Sequence, residues 1–128
     1  MSDGYTYTSV SPIGDTQPMA MPVADVDVAT RWYETHMGFS VKSRGDDPAP
    51  CVALARDEIE IGLAANGGDP EQASCYLGVS DVKAAMVDLE AKGVEVGNHR
   101  VDEHGGAKYE VFFVRDDDGI CYCIGQPV

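Results

Sequence analysis

The stretch Met19-Ala-Met-Pro-Val-Ala-Asp25-Val-Asp-Val-Ala-Thr-Arg-Trp-Tyr33-Glu-Thr-His-Met-Gly38-Phe-Ser-Val41 decides the fold, because the chain repeats it. Its second version is Cys75-Tyr-Leu-Gly-Val79-Ser-Asp81-Val-Lys-Ala-Ala-Met-Val-Asp-Leu89-Glu-Ala-Lys-Gly93-Val-Glu-Val96. Laid over one another, Asp25 falls on Asp81, Val23 on Val79 and Tyr33 on Leu89. A one-residue deletion then brings Gly38 onto Gly93. A repeat of this period marks two copies of one supersecondary unit.

Each copy starts with a short strand that ends at an Asp suited to cap a helix, since its carboxylate accepts from the first free backbone N–H groups. Apolar residues then recur at helical spacing: Ala29, Trp32, Tyr33 and Met37 in the first copy, Val82, Ala85, Met86 and Leu89 in the second. Gly38 and Gly93 fit the left-handed position that follows a helix. Strands are expected at 39–44, 51–56 and 58–65, and again at 94–97, 107–115 and 120–125, so each copy reads βαβββ. The fold class is therefore α+β, with tandem βαβββ modules at 18–66 and 74–128. Turn formers in Asn66-Gly-Gly-Asp-Pro-Glu-Gln72 set a linker at 67–73. Residues 1–17 form an N-terminal extension whose alternating patch, Tyr5-Thr-Tyr-Thr-Ser-Val10, reads either as an extra edge strand or as a swapped arm.

Alternation along a strand separates its two faces. One face collects Met19, Met21, Val23, Cys75, Leu77 and Val79 from the first strands, and Ile59, Ile61, Leu63, Ile120, Tyr122 and Ile124 from the last; this is the floor for the helices. The opposite face carries Pro18, Ala20, Pro22, Ser74, Tyr76, Gly78, Glu60, Gly62, Ala64, Cys121, Cys123 and Gly125. Small residues there leave space, and a roomy concave face is where a ligand sits. The ligand-lining candidates are Glu60, Gly62, Ser74, Tyr76, Phe113, Cys121 and Cys123.

Composition narrows the function. The chain has 128 residues with 9 Lys+Arg against 22 Asp+Glu, a net charge of −13, which repels a phosphate backbone and argues against nucleic-acid binding. No apolar run approaches the roughly 20 residues of a bilayer span. Met1 to Ser11 lacks the basic start and apolar core of a secretory signal, so the cytoplasm is the expected location and the four cysteines are expected as free thiols. Cys121 and Cys123 share a face, but two thiols without a neighbouring His or further Cys make a poor zinc site. His36, His99 and His104 all miss the inward positions of first and last strands, although His104 in a glycine-rich loop could reach over the cup. Asp116-Asp-Asp118 resembles a calcium loop and reads as a hairpin turn. Glu60 is the candidate catalytic residue, because a carboxylate inside an apolar cup loses water and becomes a stronger base. Tyr76 can stack on, and hydrogen-bond to, a planar ligand.

The two βαβββ copies, the stretch from Asp25 to Phe39 and the Phe113-Val-Arg-Asp-Asp-Asp-Gly119 turn together resemble the vicinal oxygen chelate superfamily of glyoxalases, extradiol dioxygenases, and fosfomycin- and bleomycin-resistance proteins. The resemblance covers residues 18 to 126. It implies that the strands of the two modules form a curved, cup-shaped mixed sheet, and a homodimer with cups at or near the subunit interface. In the catalytic members it also implies a divalent metal held by His or Gln on the first strand and Glu on the last strand of each copy. The corresponding positions here are Pro18, Ser74, Cys123 and the neighbourhood of Gly62. Pro and Gly offer a metal no side-chain donor, so the expectation is a cup without metal or other cofactor, similar to the bleomycin-resistance branch, that binds a small molecule and does not turn it over. Two alternatives remain at this point. One is a lyase, isomerase or dioxygenase of the same superfamily with Glu60 as base, or with a displaced metal site built from Glu60, His104 and Gln17. The other is a structural or regulatory domain whose cup its own arm fills.

Overall fold

The computed structural model describes residues 4–46 and 49–128. In chain order the elements are β1 (Tyr7–Pro12), β2 (Met21–Pro22), α1 (Val26–His36), β3 (Ser40–Gly45), β4 (Cys51–Arg56), β5 (Ile59–Ala64), a 3-10 turn (Pro70–Gln72), β6 (Ser74–Val79), α2 (Val82–Ala91), β7 (Gly97–His104), β8 (Ala107–Arg115) and β9 (Cys121–Pro127). Both copies are thus βαβββ, with β1 added in front. The strands pair as a four-stranded sheet, β2-β5-β4-β3, and a five-stranded sheet, β1-β6-β9-β8-β7. In each sheet the first strand of the copy runs parallel to the last, β2 with β5 and β6 with β9, and the remaining pairs are antiparallel.

The helices form where the repeat places them. Asp25 accepts from Asp27 N and Val28 N, and Asp81 accepts from Ala84 N, which satisfies donors that a first helical turn leaves open. Val26, Ala29, Thr30 and Tyr33 are buried on α1, and Val82, Ala85 and Leu89 on α2. Trp32 and Met86, expected in the stripe, are only half-buried at its margin; Trp32 stacks on His36 with centroids 4.9 Å apart. Gly38 and Gly93 take φ of +71° and +86°, the left-handed geometry expected past each helix.

One continuous apolar core receives side chains from both copies and both helices. Each copy also sends the turn between its last two strands against the other copy's helix. In the β8–β9 turn, Asp116 Oδ1 accepts from the backbone N–H of Asp118, Gly119 and Ile120, which makes Asp116-Asp-Asp118 a hairpin turn. Its Oδ2 accepts from the buried Tyr33 hydroxyl of α1 at 2.5 Å, and Tyr33 also meets the Tyr122 hydroxyl. Burial raises the Asp116 carboxyl above its usual range against the opposing effect of these bonds. In the first copy the turn after Arg56 sits beside α2. There Asp88 accepts from the Tyr5 hydroxyl at 2.6 Å and lies 4.0 Å from Arg56, whose guanidinium stacks on the rings of Tyr5 and Tyr7.

Two strands depart from the sequence reading by more than a residue or two at their ends. The first strand of copy one shrinks to Met21–Pro22, because Pro18 and Pro22 lack an N–H for the ladder and residues 17–20 turn, with Ala20 N donating to Gln17 O. Met19 consequently leaves the core and is half-exposed. In copy two, residues 94–96 are irregular and the strand expected at 94–97 is instead β7, running from Gly97 to His104. Of the two readings left open for the N-terminal patch, the structure shows the edge strand: β1 pairs antiparallel with β6, and Tyr5 and Tyr7 are buried.

Candidate functional site

The five-stranded sheet gathers aromatic and polar side chains on one face. Register alone assembles them. Tyr76 of β6 pairs with Cys123 of β9, which pairs with Phe113 of β8; Val111 pairs with Gly125, and Tyr109 with Asp102 of β7. A β-bulge between Gly97 and Arg100, with Asn98 in the left-handed region at φ +54°, inserts one residue into β7. Strict alternation from Gly97 would turn His99 and Val101 toward this face. The extra residue flips that parity, so Arg100 and Asp102 face it, while His99 joins Glu110 on the other side at 2.6 Å.

These residues enclose a hollow of about 380 Å³ lined by Ser11, Ile13, Tyr76, Asp102, Tyr109, Val111 and Cys123. Its floor is aromatic and apolar: the Tyr76 and Tyr109 rings meet edge to face with centroids 6.3 Å apart, and Val111 packs below. Gly125 makes this possible, since a Cβ there would stand 2.6 Å from Val111 Cγ1 and 3.3 Å from Tyr76 Cε2. Partial burial raises the Tyr76 phenol, and burial pushes the Cys123 thiol up to about 11, so at neutral pH both are protonated and neutral. The outer wall belongs to β1 and the residue after it, Ser11 and Ile13. One charged pair stands at the rim: Arg100 Nε donates to Asp102 Oδ1 at 2.8 Å, and the same guanidinium lies 4.9 Å from the centre of the Phe113 ring.

Of the seven lining candidates, Tyr76 and Cys123 meet in this hollow. Phe113 and Cys121 line an adjoining groove with Gly97, Asn98 and Arg115. Ser74 is half-buried at the seam with the N-terminal segment, where its N–H donates to Thr16 Oγ1 and its carbonyl accepts from Ile13 N. Glu60 and Gly62 lie on the other sheet. The expected open position at Gly62 is filled by the chain itself, because a Cβ there would sit 2.1 Å from the Met19 carbonyl oxygen. Glu60 is not enclosed in an apolar cup either: its side chain is 34% exposed and accepts from Lys42 Nζ at 2.6 Å. The neighbouring positions on that face, Cys51, Ala53, Ala55 and Ala64, bring no aromatic side chain to it.

Sequence reasoning missed Ser11, Ile13, Arg100, Asp102, Tyr109 and Val111. Tyr109 and Val111 were legible as the alternating partners of Phe113. Arg100 and Asp102 were hidden by the bulge, whose one signal is Asn98, a residue type that tolerates the left-handed region.

The metal-ligand positions implied by the catalytic relatives do not suit a divalent ion. Pro18 and Gly62 have no donor side chain, Ser74 offers a hydroxyl, and Cys123 offers a protonated thiol. Among the described residues no three His, Cys, Asp or Glu side chains converge. Gln17 is exposed in the turn beside the linker. His104 belongs to β7 of the other sheet from Glu60, and its side chain lies outside the described residues.

Residues 16–124 match the family model described as Glyoxalase/Bleomycin resistance protein/Dioxygenase superfamily, so the chain belongs to that superfamily. Among solved structures it is similar to TnmS3, an antibiotic binding protein from Streptomyces sp. CB03234, with 21% identity, a TM-score of 0.71, and coverage of 91% of this chain and 98% of that one. It is also similar to a bleomycin resistance determinant encoded on the transposon Tn5, with 22% identity, a TM-score of 0.66, and coverage of 88% and 98%. A protein from the mobile metagenome of V. Pseudocholerae matches at 22% identity and a TM-score of 0.69 over 89% of this chain and 95% of that one. No curated protein matches the sequence. Among the described residues, no helix is long and apolar enough to cross a membrane.

Proposed function

We propose that this protein binds a small, flat organic molecule in the hollow of its five-stranded sheet and releases it unchanged, acting by sequestration. The observation that carries this reading is the hollow itself: about 380 Å³ of space over the Tyr76 and Tyr109 rings, with the neutral Cys123 thiol beside them. That size and lining suit a ligand held by stacking and a few polar contacts. No nucleophile activated by a base lines the hollow among the described residues, and such an arrangement is what covalent catalysis requires. Two structural relatives support the same reading, since one is described as an antibiotic binding protein and another as a bleomycin resistance determinant. The acting form under this proposal is a cytoplasmic homodimer with neither nucleic acid nor metal as partner.

Equilibrium dialysis against a panel of planar aromatic natural products, followed by chromatography and mass spectrometry of the recovered compounds, tests it. Saturable binding of at least one compound, recovered intact and weakened about tenfold in Tyr76→Ala, is the expected result. Recovery of a chemically altered compound that depends on the protein would replace sequestration with turnover.

A further inference from the structure

Of the charged pair at the rim, Asp102 lines the hollow and Arg100 does not. Asp102 has one carboxylate oxygen engaged by Arg100, and no hydrogen bond from the described residues reaches its Oδ2. Arg100 is itself held from outside, over the Phe113 ring and against the single oxygen it shares with Asp102. The Asp102 charge reaches the floor, where it adds to burial in raising the Cys123 thiol, while Arg100 acts the other way and least among the contributions. The Tyr76 and Tyr109 faces add the negative quadrupole of two π-systems, which attracts a cation and repels an anion. The whole chain, at 9 Lys+Arg against 22 Asp+Glu, adds a field of the same sign.

Resting on the binding function proposed above, we infer that the ligand is a planar aromatic cation, its ring system stacked over Tyr76 and its protonated nitrogen delivered to Asp102. The arriving cation takes the free oxygen of Asp102 and competes with Arg100 for the other. Arg100 is displaced toward solvent without leaving a buried charge unpaired, because one cation replaces another on the same carboxylate. Asp102 is then the residue that selects for charge, and Tyr76 the one that selects for flatness. Arg100 keeps the rim neutral while the hollow is empty.

The test uses three tricyclic probes of similar size and different charge: proflavine, protonated at neutral pH; anthracenemethanol, neutral; and anthracenecarboxylate, an anion. Fluorescence titration of the full chain should rank proflavine first and the carboxylate last. Asp102→Asn should weaken proflavine about fivefold and leave anthracenemethanol within about twofold, as expected for a partly exposed ion pair. Arg100→Met should tighten proflavine, because it frees the carboxylate, whereas damage to the fold would weaken all three probes. The fold of both variants is checked by circular dichroism. If anthracenemethanol binds and Tyr76→Ala weakens it about tenfold, but Asp102→Asn changes proflavine no more than the neutral probe, the cation preference is overturned and the binding function stands. If no probe binds, or Tyr76→Ala leaves binding untouched, the binding function fails with it.

Discussion

The two sheets carry one repeated sequence pattern and present contrasting faces. The four-stranded face is built from Cys51, Ala53, Ala55, Gly62 and Ala64, with a surface ion pair between Glu60 and Lys42, and the space over Gly62 is closed by the Met19 backbone. Its five-stranded counterpart carries Tyr76, Tyr109, Phe113, Arg100 and Asp102, and the added strand β1 supplies a wall. Equal topology therefore says little about where a ligand goes. Large side chains at a few alternating positions, and one bulge that turns charges inward, make one face a candidate site and leave the other lined by small residues. The turns that clasp the opposite helices differ too: Asp116 is buried with four hydrogen bonds, while Asp88 of α2 is partly exposed and shared among Tyr5, Lys92 and Arg56.

Breaking the buried clasp should have the largest effect on stability. Asp116→Ala leaves the Tyr33 hydroxyl only the Tyr122 hydroxyl as partner and removes the side-chain acceptor of the turn's three N–H groups, and a loss of about 3 kcal/mol in urea unfolding is expected. Asp88→Ala, the counterpart in the other clasp, should cost about 1 kcal/mol. Equal losses would show that burial does not separate the two.

On ligand binding, Tyr76→Ala should lower affinity for a planar probe about tenfold, whereas Ala53→Leu on the four-stranded face should change it less than about twofold. A comparable loss from Ala53→Leu would move the site to the other sheet.

The pH dependence sharpens the comparison of the clasps. Because the folded-state pKa of Asp116 is raised above 3.8, the folded state binds its proton first, and this group's contribution to stability grows as pH falls through the raised value. The stability of the native protein relative to Asp116→Asn should therefore rise on acidification from neutral pH, read from denaturation midpoints at several pH values. A difference that shrinks over that range would contradict the assignment.

The smallest effect should come from Lys42→Met. The pair with Glu60 is solvent-screened and worth about 0.5 kcal/mol, and probe binding should not change.

What the sequence revealed followed from local physics. Asp25 and Asp81 announced both helices, and β4 and β8 begin and end where alternation placed them. Tyr76 and Cys123 were visible as inward residues of paired strands. Three features depended on contacts far away in the chain. The turn that covers Gly62 arises from prolines whose effect shows only when the chain folds back on β5. The bulge at Asn98 flips a strand's parity without changing its composition. The placement of β1 on β6 depends on an edge that no window of sequence contains. Glu60 illustrates the cost: its inward phase was legible, while Lys42, another bulge residue that neutralises it, was not.

The most direct test is amide chemical-shift mapping of the labelled protein during titration with proflavine. The structure predicts shifts centred on Ser11, Tyr76, Asp102, Tyr109, Val111 and Cys123, with Ala53, Ala55 and Glu60 unmoved. Shifts centred on the Ala53 and Glu60 face, with the Tyr76 and Asp102 amides unchanged, would contradict the assignment of the site to the five-stranded sheet.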